Sequence, residues 1–255
     1  MDQSNSSAIV TGAASGLGAQ VAAAFATQGI NVVGIDLEAG IAKASEAGSI
    51  PDGVELVAAD VTDGTAVDAA VTKAQELAPL RTVVNCAGIA PSARIVGRKG
   101  THNLDLFRKV VEVNLIGTFT VMTRAAAVMA LNDPLEDGVR GVVVNTASVA
   151  AFEGQVGQAA YAASKGGVHS MTIAAARDLA GVGIRVCTIA PGIVETPMMA
   201  GITPEFRAEL EANVQLPKRL AQPAEYARLV QMIVEHDYLN GETIRMDGAL
   251  RMPPR

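Results

Sequence analysis

Short, continuously apolar runs alternate with longer Ala-rich stretches along the whole chain, and this alternation restricts the fold more than any other feature. The short runs are Ser7–Val10, Asn31–Ile35, Glu55–Ala58, Thr82–Val84, Gly141–Asn145, Ile184–Ile189 and Thr243–Met246. Most show no polar/apolar alternation, as expected of strands covered on both faces. The stretches Leu17–Thr27, Thr65–Leu77, Leu104–Ala130, Ala159–Ala180 and Ala224–Glu235 read as helices. Strand, helix, strand in repetition demands right-handed crossovers and a parallel sheet. With 255 residues, 49% hydrophobic and 18% charged, the chain has enough apolar material for one large core. The expectation is a single α/β, doubly wound domain over residues 1–255, with a seven-stranded parallel sheet flanked by helices. Aromatics are only 3% and Trp is absent, so that core must be aliphatic.

Several function classes are disfavoured. The formal net charge is -6, with no clustered basic face, so no nucleic-acid partner is expected. No uncharged apolar stretch reaches the roughly 18 residues of a membrane span. The first strand-like run leaves no room for a signal peptide, which points to the cytoplasm. Cys86 and Cys187 sit in apolar runs and read as buried free thiols in a reducing compartment. His102, His169 and His236 are too scattered for a metal site, and none is expected.

Thr11-Gly12-Ala13-Ala14-Ser15-Gly16-Leu17-Gly18 follows the first strand and opens the first helix. Such glycines let the backbone approach a pyrophosphate, and the helix N-terminus offers that anion free N–H groups. Asp36 ends the second strand, where a carboxylate accepts hydrogen bonds from ribose hydroxyls and repels a 2′-phosphate. No Arg or Lys stands beside it or in the glycine loop, so the expected cofactor is NAD. Two longer segments, Pro91–His102 and Glu195–Pro217, leave the ends of the fourth and sixth strands. They are the expected substrate loops. Arg94, Arg98 and Lys99 in the first, and Lys218 and Arg219 just after the second, are candidate contacts for a phosphorylated substrate.

Tyr161 and Lys165 lie four apart in a helical stretch, hence one turn apart on one face. A nearby ammonium favours the phenolate, which would make Tyr161 a general acid/base. Ser148, just past the fifth strand, is placed to hydrogen-bond a substrate oxygen.

Together these residues resemble the short-chain dehydrogenase/reductase family over the whole chain. The resemblance rests on the glycine loop, Asp60-Val61, Asn85-Cys86-Ala87-Gly88, Asn114, Ser148, Tyr161-x-x-x-Lys165 and Pro191-Gly192. It implies a Rossmann-type fold and a catalytic tetrad of Ser148, Tyr161, Lys165 and Asn114, with Asn114 holding a water that links Lys165 to solvent. It also implies a cofactor site made by Gly12, Ser15, Gly16, Leu17, Gly18, Asp36, Asp60, Val61, Asn85, Ala87, Gly88, Tyr161, Lys165, Pro191, Gly192, Val194 and Thr196. Asp60 and Val61 would touch the adenine; Pro191, Gly192 and Val194 would wrap the nicotinamide. Cys86 departs from the family's usual second Asn, a position that varies. The stretches from Thr146 to Tyr161 and from Asn240 to Met252 further resemble the type II 3-hydroxyacyl-CoA dehydrogenase branch. That resemblance implies a homotetramer and NAD-dependent oxidation of short or branched 3-hydroxyacyl-CoA, with room for a side activity on steroids. A reductase of 3-oxoacyl thioesters, a hydroxysteroid or small-alcohol dehydrogenase, and a non-catalytic NAD-binding interaction subunit stand as alternatives.

Overall fold

The computed structural model of the chain describes residues 3, 5–98, 100–199 and 203–254. Seven strands form one parallel sheet: β1 (Ser7–Thr11), β2 (Asn31–Asp36), β3 (Val54–Ala58), β4 (Leu80–Asn85), β5 (Gly141–Thr146), β6 (Ile184–Pro191) and β7 (Thr243–Met246). Their spatial order is β3-β2-β1-β4-β5-β6-β7. The chain winds outward from β1 to β3, then crosses back to β4 beside β1. The strand order therefore reverses at β1/β4, and a crevice opens there beyond the carboxyl ends of the strands.

Every residue of β1, β4, β5 and β6 is buried, which accounts for their largely apolar sequences; the polar side chains they carry, such as Thr82, Asn145 and Thr188, are buried as well. Their side chains divide by parity between two cores. Ile9, Val83, Val143 and Val186 face α3 (Gly64–Leu77), α5 (Thr118–Met129) and α6 (Ala159–Ala180). Ala8, Val10, Val84, Val144, Cys187 and Ile189 face α1 (Gly16–Thr27) and α8 (Pro223–Glu235). Edge strand β3 has no fully buried residue.

The structure departs from the sequence reading in three places. Leu104–Ala130 is not one α-helix. It runs as α4 (Leu104–Val111), a π-helical segment Glu112–Gly117, and α5. The helix α2 (Glu38–Glu46) buries only Ala44 and so carries no apolar stripe to betray it. Helix α7 (Pro204–Asn213) occupies the middle of the segment expected to be a loop; Thr203 caps it by accepting from the Phe206 amide at 3.3 Å, and Pro204 opens it. In Pro91–His102, Val96–Gly97 pairs antiparallel with Gly100–Thr101. Lys99 lies outside the described residues. Among the described residues no helix is long and apolar enough to cross a membrane.

Candidate active site

A single cavity of about 600 Å³ follows the carboxyl ends of the central strands from the glycine loop to the start of α6. At its first end, Thr11 Oγ1 accepts from the Cys86 and Ala87 amides at 3.1 and 3.0 Å, tying the loop after β4 to the end of β1. Two positions of the glycine turn have no room for a side chain. Gly12 has φ +67°, and a Cβ on Gly18 would stand 2.2 Å from the Gly12 carbonyl oxygen. Ser15 makes no side-chain cap on α1. The first-turn N–H groups of α1, which have no intrahelical partner, are thus left to the cavity wall that Ser15, Gly16, Leu17 and Gly18 form.

Asp36 closes the same end. Its carboxylate accepts from the amides of Ala14 (2.9 Å) and Leu37 (2.8 Å). A carboxylate has about four acceptor positions, so two stay available to a ligand. Asp60 accepts from the Thr62 amide at 2.9 Å and its hydroxyl at 2.7 Å. These bonds outweigh burial and, with Lys109 at 4.0 Å, hold its carboxyl below the usual range. The wall also includes Val61, Ala87, Gly88, Pro191, Gly192, Val194 and Thr196. This cradle of free amides, a carboxylate with free acceptor positions and a long cavity fits a dinucleotide.

Asn85 does not line it. Its amide points into the sheet and donates to Asn145 Oδ1 at 2.9 Å. What Asn85 offers the site is its carbonyl, which accepts from Thr146 Oγ1 at 2.5 Å.

At the other end, Ser148, Tyr161 and Lys165 meet. Ser148 accepts from the Ala150 amide at 3.1 Å and so caps the 3-10 turn Val149–Ala151. The Tyr161 phenol lies near enough to Ser148 for that hydroxyl to favour its ionised form. Lys165 Nζ lies 5.9 Å from the centre of the Tyr161 ring and donates to the Thr146 carbonyl at 2.7 Å. Burial raises the Tyr161 phenol above its ordinary value, against the opposing pull of Ser148. Burial likewise pushes Lys165 down to about 8. In the chain without its cofactor, burial opposes the phenolate that the ammonium and the charge of oxidised nicotinamide together are expected to favour.

Asn114 sits behind this group. Its Oδ1 accepts from the Ile89 amide at 2.8 Å, while its Nδ2 donates to Ile89 O (2.9 Å) and Ser164 Oγ (3.0 Å). Ser164 in turn donates to the Tyr161 carbonyl at 2.8 Å. The π segment thus turns Asn114 into a clamp between the loop after β4 and helix α6, and such local bulges often mark functional positions.

Residues that motif spacing did not single out complete the cavity: Lys109, Val149, Gln158, Met199 and Met252. They come from five separate segments, and no local pattern marks them. A second groove of about 430 Å³ lies alongside, lined by Arg94, Ile95, Val96, residues 154–159 and Ala162, and it shares Gln158 with the first. Of the proposed phosphate contacts, Arg94 is on that groove. Arg219 is already paired with both oxygens of Glu225, at 2.8 and 2.9 Å.

Residues 6–206 match the family model described as short chain dehydrogenase. A Rattus norvegicus protein named 3-hydroxyacyl-CoA dehydrogenase type-2 is 48% identical over 250 residues, 97% of this chain and 95% of that protein. A crystal structure of 3-hydroxyacyl-CoA dehydrogenase type-2 from Mycobacterium avium superposes with a TM-score of 0.91 at 42% identity, covering 98% of each chain. A 3-oxoacyl-[acyl-carrier protein] reductase from Brucella melitensis, crystallised with bound NAD, superposes with a TM-score of 0.82 at 32% identity, covering 97% of this chain and 92% of that one.

Proposed function

The chain belongs to the short-chain dehydrogenase family and is an oxidoreductase with a nicotinamide cofactor; on that premise we propose that it uses NAD(H) to interconvert short or branched 3-hydroxyacyl-CoA and 3-oxoacyl-CoA. The observation that carries this reading is one continuous cavity with the amide cradle and Asp36 at one end and Ser148, Tyr161 and Lys165 at the other. The similarity to dehydrogenases of that substrate class supports the choice of acyl-CoA.

A nicotinamide bound in this cradle would supply the hydride chemistry, at the carbonyl carbon in reduction and at the carbinol carbon in oxidation. The remaining work falls to the chain. Ser148 donates to the substrate oxygen and fixes it beside the Tyr161 hydroxyl. Tyr161 passes its proton to that oxygen during reduction and takes it back during oxidation. Lys165 holds the nicotinamide ribose, and Asn114 keeps Ile89 and helix α6 in register behind it and holds the water that connects Lys165 to solvent. Asn85 acts behind the cofactor site, its carbonyl holding the Thr146 hydroxyl. The two cysteines are free thiols, in keeping with a protein working in the reducing cytoplasm.

The deciding experiment is an initial-rate assay of acetoacetyl-CoA reduction with NADH and with NADPH. Turnover with NADH supports the proposal. Turnover with NADPH alone, on an acyl-carrier-protein thioester, would replace it by the reductase reading. No turnover with any ketone would leave a binding subunit.

Cofactor choice gives a sharper test. Asp36 faces the site where a 2′-phosphate would bring like charge, and such juxtapositions cost several kcal/mol. Asp36→Ala combined with Leu37→Arg should shift the ratio of kcat/KM for NADH over NADPH by at least about 100-fold toward NADPH, or roughly 3 kcal/mol. Equal use of the two cofactors by the wild type would remove Asp36 from this role.

Assembly is expected to be tetrameric with dihedral symmetry. Ile116, Phe119 and Ile173 are 42%, 48% and 44% exposed along the outer faces of the π segment, α5 and α6. Apolar faces of this kind are uncommon on monomers, and two copies related by a two-fold axis would cover them. Light scattering should give four times the 26.1 kDa chain mass. Phe119→Glu should lower that mass; a wild-type monomer would refute the assembly.

A further inference from the structure

The segment after β7 runs back along the connection between Ser148 and Tyr161. The Glu153 carboxylate gathers it, accepting from Arg245 Nη1 at 2.9 Å and from the Met252 amide at 3.0 Å, with Arg251 Nε at 3.4 Å. Arg245 also donates to Asp247 and to the Leu250 carbonyl, at 2.8 and 3.1 Å. Burial would raise the Glu153 carboxyl, but Arg245, the Met252 amide and Arg251 together bring it below its ordinary value. Beyond Met252 come Pro253 and Pro254, which have no N–H to give. The bonds they make use carbonyls only: Pro253 O accepts from Gln155 Nε2 at 3.1 Å, and Pro254 O from the Val156 amide at 3.0 Å. Two fixed φ angles also reduce what the segment loses on being held.

This anchoring sets Met252 into the wall of the main cavity. Its bonded partner Glu153, and the Gln155 and Val156 that hold Pro253 and Pro254, belong to the Ser148–Tyr161 connection, so Met252 stands at the substrate end, away from the glycine loop. The side chain is unbranched, apolar and adaptable, suited to close against an alkyl group. We propose that Met252, held by the Glu153 clamp, is a specificity-determining residue that bounds the acyl pocket and sets the length of chain it admits. This rests on the acyl-thioester reading above.

The test compares Met252→Ala and Met252→Trp with the wild type on acetoacetyl-CoA and 3-oxooctanoyl-CoA. A methylene more or less in an apolar pocket changes discrimination by about 10-fold or more. Met252→Ala should therefore raise the long-to-short ratio of kcat/KM by roughly tenfold, and Met252→Trp should lower it by a similar factor. The NADH dissociation constant should not move in either variant, which separates a pocket effect from misfolding. The same ratio is measured with butanone and a long-chain methyl ketone. If the wild type reduces ketones but no thioester, the acyl-CoA reading falls and the ketone ratio still decides the role of Met252. Unchanged ratios in both series, with NADH binding intact, would overturn the inference.

Discussion

Tyr161→Phe should lower kcat for acetoacetyl-CoA reduction by roughly 10²–10⁴-fold, the usual contribution of a positioned proton donor. Phe keeps the ring and its packing and removes the single hydroxyl that would pass a proton to the substrate oxygen held by Ser148. Burial holds the wild-type phenol above its ordinary value, so the group that Phe deletes is a proton carrier across the neutral range, the form that ketone reduction needs. The change touches neither the amide cradle nor Asp36. NADH affinity, read by fluorescence, should therefore stay near the wild-type value. Ser148 keeps its bond from the Ala150 amide, so melting should shift by little. Near-normal kcat in a folded Tyr161→Phe protein would falsify the assignment of the proton step.

How much of this could be read from residues alone differs by element, for physical reasons. The strands could be found because β1, β4, β5 and β6 are covered on both faces and carry mainly apolar residues. Helix α2 could not, since a helix that buries one alanine has no stripe. Helix α7 has no buried residue at all. The π segment was hidden inside a good helical pattern, because its cause lies elsewhere: Asn114 must reach both Ile89 and Ser164.

The site shows the same division. Glycine spacing after a strand, a carboxylate at the end of β2, and Tyr and Lys one helical turn apart are local patterns with local consequences. The turning of Asn85 into the sheet depends on Asn145, 60 residues away. The arrival of Met252 at the cavity depends on Glu153, 99 residues away. The sign of the pressure on Tyr161 depended on burial, which no spacing reveals; a lysine one turn away suggests an ionised phenol, and the enclosed site opposes it.

Lys165→Met should separate activity from stability. The wild-type ammonium is buried, and its pKa falls from 10.5 to about 8; at 1.36 kcal/mol per pH unit this is a cost of about 3 kcal/mol carried by the folded state. Met has nearly the same reach and no charge, so it removes that cost. Against this, the Thr146 carbonyl loses its 2.7 Å donor, which costs about 1–3 kcal/mol for a buried group left unpaired. The two nearly cancel, so Tm at neutral pH should be close to wild type. Activity should not survive so well. With the ribose contact and the charge beside Tyr161 both gone, kcat should fall at least about 100-fold and NADH should bind more weakly. The pH dependence fixes the sign. Because the folded pKa lies below the unfolded one, this group's contribution to wild-type stability is fully present only above about 10.5 and is lost as pH falls through about 8. Subtracting the Met variant's Tm from the wild type's should give a difference that grows in favour of the wild type as pH rises through that window. A flat difference, or one of opposite slope, would mean that Lys165 is not held as a destabilised ammonium. The near-cancellation at neutral pH would then need another cause.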